Sequence, residues 1–365
     1  MAVFEAKPAL PPPVLTRGPV GWARQNLLSS PLNVGLTLVG VVLIVALVVP
    51  AVDWALLNAT FRGTTADACT GTGACWPFVT TRLDFFVYGF YPPPERWRVN
   101  VLFALLALVI VPQLLPRFPG RRALAVFGFL GLPVLAAVLL LGGIAGLPFV
   151  ETGKWGGLML TLVLAMVGIL AALPVGVVLA LGRRSKMVVV RVSCTTFIEF
   201  WRGVPLISVL FMASVMLPLF LPEGVNFDKL LRALIGIIMF QSAYMAEVVR
   251  GGLQAIPRGQ FEAAHALGLG YWRTMGLIIL PQALKLVIPG IVNTFIALFK
   301  DTTLVLIIGL LDVLGSVQAA IVDPAWNRVA VEGYVFAGLC YWVFCFGMSR
   351  YSHALERKLQ TGHKR

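Results

Sequence analysis

The feature that most constrains this chain is a repeated absence of charge over long runs. Residues 34–52 carry no charged side chain, and comparable runs recur almost to the C-terminus. A bilayer core of about 30 Å is crossed by a helix of about 20 residues, so an uncharged run of about 18 or more marks a candidate span. Backbone groups inside a bilayer have no water to bond, and runs of this length satisfy them as helices. Eight spans follow: 34–52, 99–115, 124–144, 156–181, 203–221, 231–249, 286–310 and 334–349. Only 12% of the chain is charged and 59% is hydrophobic, whereas soluble domains carry about 25% charge. A large soluble core would still need a charged surface, and disorder needs the opposite composition. The expected fold class is an all-α polytopic membrane protein. No internal repeat points to a secondary-transporter fold.

Charge sets the orientation. With the N-terminus inside and eight crossings, nineteen of the 29 basic residues fall on cytoplasmic segments and eight on external ones, leaving Arg202 and Lys300 within the spans. Basic residues mark the cytoplasmic side, so both termini are assigned inside. The basic hinge Arg117, Arg121 and Arg122 joins spans two and three on that side. The net charge of +13 is then a topological signal, and nucleic acid is not an expected partner. The proline-rich lead has no small-residue cleavage site behind the first apolar run. It is expected to be a cytosolic tail before a retained helix, not a removed signal.

Cys69 and Cys75 lie in the long external segment between spans one and two, while Cys194, Cys340 and Cys345 lie at or inside the membrane. Two cysteines six positions apart in an oxidising compartment form either a small disulfide loop or two free thiols. No metal site is expected, because His265, His353 and His363 lack ligand spacing. No phosphate loop, H-E-x-x-H or G-x-S-x-G pattern occurs, so no catalytic residue is assigned and no cofactor is expected on this chain. Pro174, Pro205, Pro218 and Pro289 are expected within spans as kinks or sources of free carbonyls. Gly142 and Gly146 form G-x-x-x-G, a helix-packing pattern. Trp22, Trp54, Trp155 and Trp326 fall near expected interfaces.

The most informative segment lies between spans six and seven. Pro257 suits a helix start and Gly268 the position beyond a helix end, which predicts a helix of about ten residues, too short to span. Its middle is Glu262-Ala263-Ala264. Two minimal side chains allow close approach of another backbone, and Glu262 supplies a directional anchor, so the helix reads either as a plug for a partner's groove or as a hairpin at headgroup level. The segment resembles the signature loop of ABC importer permeases. Glu262-Ala263-Ala264, Gly268, Ile278 and Leu280-Pro281 stand at that family's spacing. Glu199–Leu206 and Phe299–Leu304 resemble further segments of the polar amino acid uptake permeases, and the three additional leading spans resemble the larger permease subunits of the general L-amino acid, Aap/Bzt kind.

The resemblance implies a type I importer core of five helices over 156–359, with a coupling loop at 251–281. Ahead of it stand a tail at 1–33 and an extension with three spans and an external loop at 34–155; a short tail follows at 360–365. It also implies a bacterial inner-membrane location, ATPase subunits that use the ATP, a second and distinct permease subunit, and a periplasmic amino-acid-binding protein. Glu262, Ala263, Ala264, Gly268, Ile278, Leu280 and Pro281 would then couple to the ATPase. Ionisable residues inside a membrane are costly and are functional candidates by default. Glu199, Arg202, Glu247, Lys300 and Asp301 are therefore candidates for the translocation path. Arg202 would suit a substrate carboxylate and Asp301 an ammonium. The bland alternative makes Glu199–Arg202 and Lys300–Asp301 structural pairs. The alternative function is a membrane scaffold or channel component that uses the cytoplasmic helix only for docking.

Overall fold

The computed structural model describes residues 18–359, apart from 116–117, 145, 221, 223–226 and 327. The tail residues 1–17 and 360–365, the hinge residue Arg117 and the end of the fifth span at Leu221 lie outside the described residues. Among the described residues seven helices are long and apolar enough to cross a membrane, and one further pair bent by 101° brings the total to eight if counted as one span.

The chain up to Pro77 forms one unit. It contains α1 (Gly18–Asn26) and α2 (Pro31–Val52), which starts at Ser30, whose side chain accepts from the Asn33 N–H. That cap and Pro31 in the first turn are ordinary helix-start chemistry. None of the residues of α2 is buried within the chain, as expected of a helix surrounded by lipid. Beyond it, Cys69 and Cys75 are joined by a disulfide. The stapled segment is held further by the Trp76 indole N–H, which donates to the Ala55 carbonyl at 2.8 Å.

The second unit runs from Phe78 onward. A short helix not expected from the sequence, α3 (Trp76–Tyr88), opens it. Then come α4 (Arg96–Leu114) and α5 (Arg121–Leu141), which meet where Gly128 faces Val109; a Cβ there would approach Val109 Cγ1 to 2.5 Å. Arg98, counted as an external charge in the sequence, is fully buried. It pairs with Glu95 at 2.5 Å and donates to the Pro148 carbonyl at 2.9 Å, fixing the loop after α5. The G-x-x-x-G pattern is not a helix-packing motif here. Gly142 caps the end of α5 with φ +68° and Gly146 lies in the following loop with φ +77°, conformations that favour glycine.

The centre of the unit is α6 (Gly157–Arg183) packed along α9 (Lys229–Ala255), both about 40 Å long at 1.5 Å per residue. Gly176 makes the close approach possible, since a Cβ there would meet the Met245 Cβ at 2.7 Å. The expected fifth span, 203–221, is occupied by α8 (Leu206–Phe220), and a helix that the sequence did not mark, α7 (Val188–Gly203), precedes it at a bend of 101°. Val204 is extended (φ −105°, ψ 134°), because a residue before proline is pushed out of the helical region. Pro205 therefore opens α8 and kinks no helix, and Pro289 likewise sits in the first turn of its helix. Pro218 lies in a 3₁₀ turn at the end of α8, and Pro174 lies deep inside a long helix.

After α9 come α10 (Arg258–Ala266), α11 (Leu280–Leu286) and α12 (Ile288–Asp301), which tightens into a 3₁₀ segment over Thr302–Ile308. Asp312 then caps α13 (Val313–Ile321), and α14 (Ala330–Leu359) closes the chain.

Candidate functional site

The loop around α10 is a rigid protrusion built by its own sequence. Pro257 precedes the helix at φ −59°, where its missing N–H costs nothing. The far end is a Schellman motif: Gly268 N–H donates to the His265 carbonyl at 2.9 Å and Leu269 N–H to the Ala264 carbonyl at 3.1 Å. Gly268 adopts φ +70°, the left-handed conformation this cap requires. Ala264 is buried while Glu262 and Ala263 are exposed. Phe261, Ile278 and Leu280 pack onto a core made of Val249, Leu253, Ile256, Ile279 and Ala283. Gln282 Nε2 ties the two sides together, donating to Gln260 Oε1 at 3.0 Å and to the Ile278 carbonyl at 2.8 Å. Pro281 stands in the first turn of α11. In the segment that follows α10, Leu267, Trp272 and Leu277 are each more than 70% exposed.

Three of the five membrane candidates converge, but not in the sequence-neighbour pairs. Glu199 pairs with Arg183 at 2.8 Å. Glu247 pairs with Arg183 at 2.5 Å and Arg250 at 2.7 Å, with Arg202 farther off at 4.0 Å. Arg202 also lies over the Tyr244 ring at 5.6 Å. The cluster joins α6, α7 and α9, with Glu247 at its centre and only 16% exposed. Arg183 and Arg250 were placed among cytoplasmic charges by the sequence. The signals that both belong to this cluster are Arg183's place at the end of α6, where a long side chain can fold back to a buried carboxylate, and Arg250's spacing of three residues from Glu247 on one face of α9.

Lys300 and Asp301 stand apart from that cluster, at the end of α12. Lys300 is exposed and Asp301 half-buried. The Asp301 carboxylate accepts from Gln241 Nε2 at 3.2 Å, so its partner is an amide on α9. Gln241 is 2% exposed and was missed in the sequence because it carries no charge. It lies six residues before Glu247 on α9, a rise of about 9 Å. The site thus has two levels, an amide–carboxylate pair and a charge cluster nearer the α10 loop. A cleft of about 750 Å³ between α5, α6 and α9, lined by Val134, Ala137, Trp155, Val163 and Leu234, holds none of these residues.

Residues 168–361 match the family model of the binding-protein-dependent transport system inner membrane component. The chain is 57% identical over 342 residues to an inner membrane amino-acid ABC transporter permease protein, YhdY, of Escherichia coli K12, with 93% of each chain covered. It is 40% identical to the glutamate/glutamine/aspartate/asparagine transport system permease protein BztC of Rhodobacter capsulatus, covering 97% of this chain and 96% of that one. The crystal structure of an amino acid ABC transporter with histidines superposes with a TM-score of 0.50 at 28% identity, covering 55% of this chain and 92% of that chain. The gapped match around α10, the seven long apolar helices among the described residues and these likenesses agree, and the chain belongs to the binding-protein-dependent inner membrane component family, as a multi-pass inner-membrane permease subunit of an ABC importer.

Proposed function

We propose that this permease imports amino acids delivered by a periplasmic binding protein, and that the α10 loop couples transport to partner ATPase subunits. The observation that carries the reading is the α10 protrusion itself. It presents Glu262 and Ala263 on an exposed face while Phe261, Ile278 and Leu280 root it in the core shared by α6, α7 and α9. A partner that grips Glu262 moves a rigid body, and that body's base lies against the helices carrying the Glu247 cluster. The amino acid cargo is supported by the named cargo of the two long relatives.

In this reading ATP is bound and hydrolysed by the partner ATPases and this chain holds no cofactor. Residues 156–359 form the permease core with its coupling loop at 251–281, and 34–155 form the extension. The solved relative covers 55% of this chain and 92% of its own length, which supports a core of that size. The long extension, shared with a relative covering 93% of the chain, favours a distinct second permease as partner. Asp301 offers an acceptor for a substrate ammonium, with Lys300 exposed beside it, and both line the path between the two permeases. The Glu247 cluster holds α6, α7 and α9 together and acts as a hinge lock, not a substrate ligand.

The test is co-purification of the full complex and ATP-dependent uptake across a panel of amino acids in proteoliposomes. Glu262→Lys should leave the permease in the membrane, weaken ATPase association and abolish uptake. Normal uptake by Glu262→Lys would remove the coupling assignment. Uptake of no amino acid by an intact complex would remove the cargo.

A further inference from the structure

Asp312 is fully buried although it lies outside the spanning helices. Its Oδ1 accepts from the Gly315 N–H at 2.8 Å, capping α13. Its Oδ2 accepts from the Tyr341 hydroxyl at 2.5 Å. Capping alone does not explain a buried carboxylate that also takes a tyrosine from α14, since one oxygen suffices for a cap and the second adds desolvation cost. The Tyr341 hydroxyl in turn lies 3.4 Å from Thr302 Oγ1, and the Tyr341 ring meets the Phe299 ring edge-on at 5.4 Å. Phe299 and Thr302 are both buried, and the Thr302 hydroxyl donates to the Phe299 carbonyl at 2.8 Å. Residues three apart share a helix face. Tyr341 therefore grips both ends of the one turn whose other side carries Lys300 and Asp301.

That turn is where α12 ends and the 3₁₀ segment begins. Asp301 is the last residue of α12 and stands between Phe299 and Thr302, so whatever fixes those two residues fixes the backbone from which the Asp301 carboxylate projects. We infer that Asp312 and Tyr341 are positioning residues for Asp301, holding the α12 turn so that its carboxylate meets the path at the level of Gln241. The same node reaches α6 and α13, since the Val313 N–H donates to Thr161 Oγ1 at 3.1 Å. Asp312 thereby ties the start of an external helix to the turn that carries the candidate substrate ligand.

The inference rests on the reading of Asp301 as a path residue, and two measurements keep the two ideas apart. The first is uptake by the full reconstituted transporter carrying Tyr341→Phe, Asp301→Asn or both. Tyr341→Phe should raise KM about three- to tenfold, the equivalent of one buried hydrogen bond, and this change should fall on KM more than on Vmax or membrane abundance. In the Asp301→Asn background it should add nothing further. An additive effect, or a loss of abundance with KM unchanged, overturns the positioning role. The second is the rate at which a methanethiosulfonate reagent labels Asp301→Cys in a chain whose Cys194, Cys340 and Cys345 are replaced by serine. Tyr341→Phe should change that rate by a similar factor. An unchanged rate overturns the positioning role, whereas a KM unaffected by Asp301→Asn overturns the reading of Asp301 itself.

Discussion

Gly268 allows the backbone cost of the α10 cap to be separated from contact with a partner. Its φ of +70° lies in the left-handed region, and a Cβ added there would meet no atom of the chain within 4 Å. Within the chain, Gly268→Ala therefore carries a conformational penalty and no clash. That penalty is about 1–2 kcal/mol for an L-residue in the left-handed region, or a shift of about 5- to 30-fold against the capped loop. Asparagine tolerates this conformation, so Gly268→Asn should keep most of the capped population. Both variants should accumulate in the membrane, because the cap contributes nothing to the spans. The assay is ATPase retained per permease on co-purification, followed by uptake. If the φ requirement is what matters, alanine should lower retention about fivefold and asparagine by much less. If a partner surface presses against the glycine, the two should fail equally, and Gly268→Asp should fail with them. Full retention and uptake by Gly268→Ala would falsify the claim that the loop works as a preformed rigid body.

Three other outcomes follow from packing and charge. Glu247→Gln leaves Arg183, Arg202 and Arg250 facing an uncharged amide, and breaking a buried pair costs about 3 kcal/mol; it should lower the detergent Tm sharply, while Glu247→Leu combined with Arg183→Met should lower it less. Gly176→Val drives a side chain into Met245 and the Ala246 backbone, an overpacking worth about 1–3 kcal/mol, and should lower the Tm, whereas Gly259→Ala in α10 has open space and should not. Replacing Cys69 and Cys75 by serine opens a short loop whose closure contributes about 2 kcal/mol in the chain-entropy account. The loss should appear as faster proteolysis of residues 58–75, and an unchanged cleavage rate there would contradict the role of the staple.

Most of the spans were legible because charge is costly in a bilayer whatever the neighbours are, so a count along the chain suffices. The α10 cap was legible too, since Pro257 and Gly268 act through their own backbone. What escaped the sequence depends on distant partners. Glu199 and Arg202 are three apart, and local logic pairs them, yet Arg183 reaches Glu199 from another helix and Glu247 draws the arginines inward. Asp312 reads as an external acid and Arg232 as an external base, but both are buried. Arg232 donates to the Ser214 carbonyl at 2.6 Å, within the irregular end of α8 that no apolar count reveals. The break between α7 and α8 was carried by one residue, Val204, whose extended backbone is dictated by Pro205 and invisible to a window that averages hydropathy.

A link between the α10 loop and the membrane levels follows from which residues are shared. Phe261 at the base of the loop lies under the Arg184 guanidinium at 6.0 Å, and Arg184 directly follows Arg183, which holds Glu199 and Glu247 together. Ile198 of α7 and Met245, Ala246 and Val249 of α9 belong to the same buried core as the residues under the loop. Packed interiors transmit displacement because they have no spare volume, so a shift of α10 cannot be absorbed between Phe261 and Glu247. It must either move α6, α7 and α9 together or break the Arg183 bridges. Two carboxylates held by one guanidinium form a joint that can open on one side while staying closed on the other. Arg183→Lys keeps the charge and removes the fork that bonds both acids at once. It should preserve membrane insertion and ATPase association yet uncouple ATP hydrolysis from uptake, because a compact ammonium lacks the separated Nη1 and Nη2 donors that reach Glu247 and Glu199.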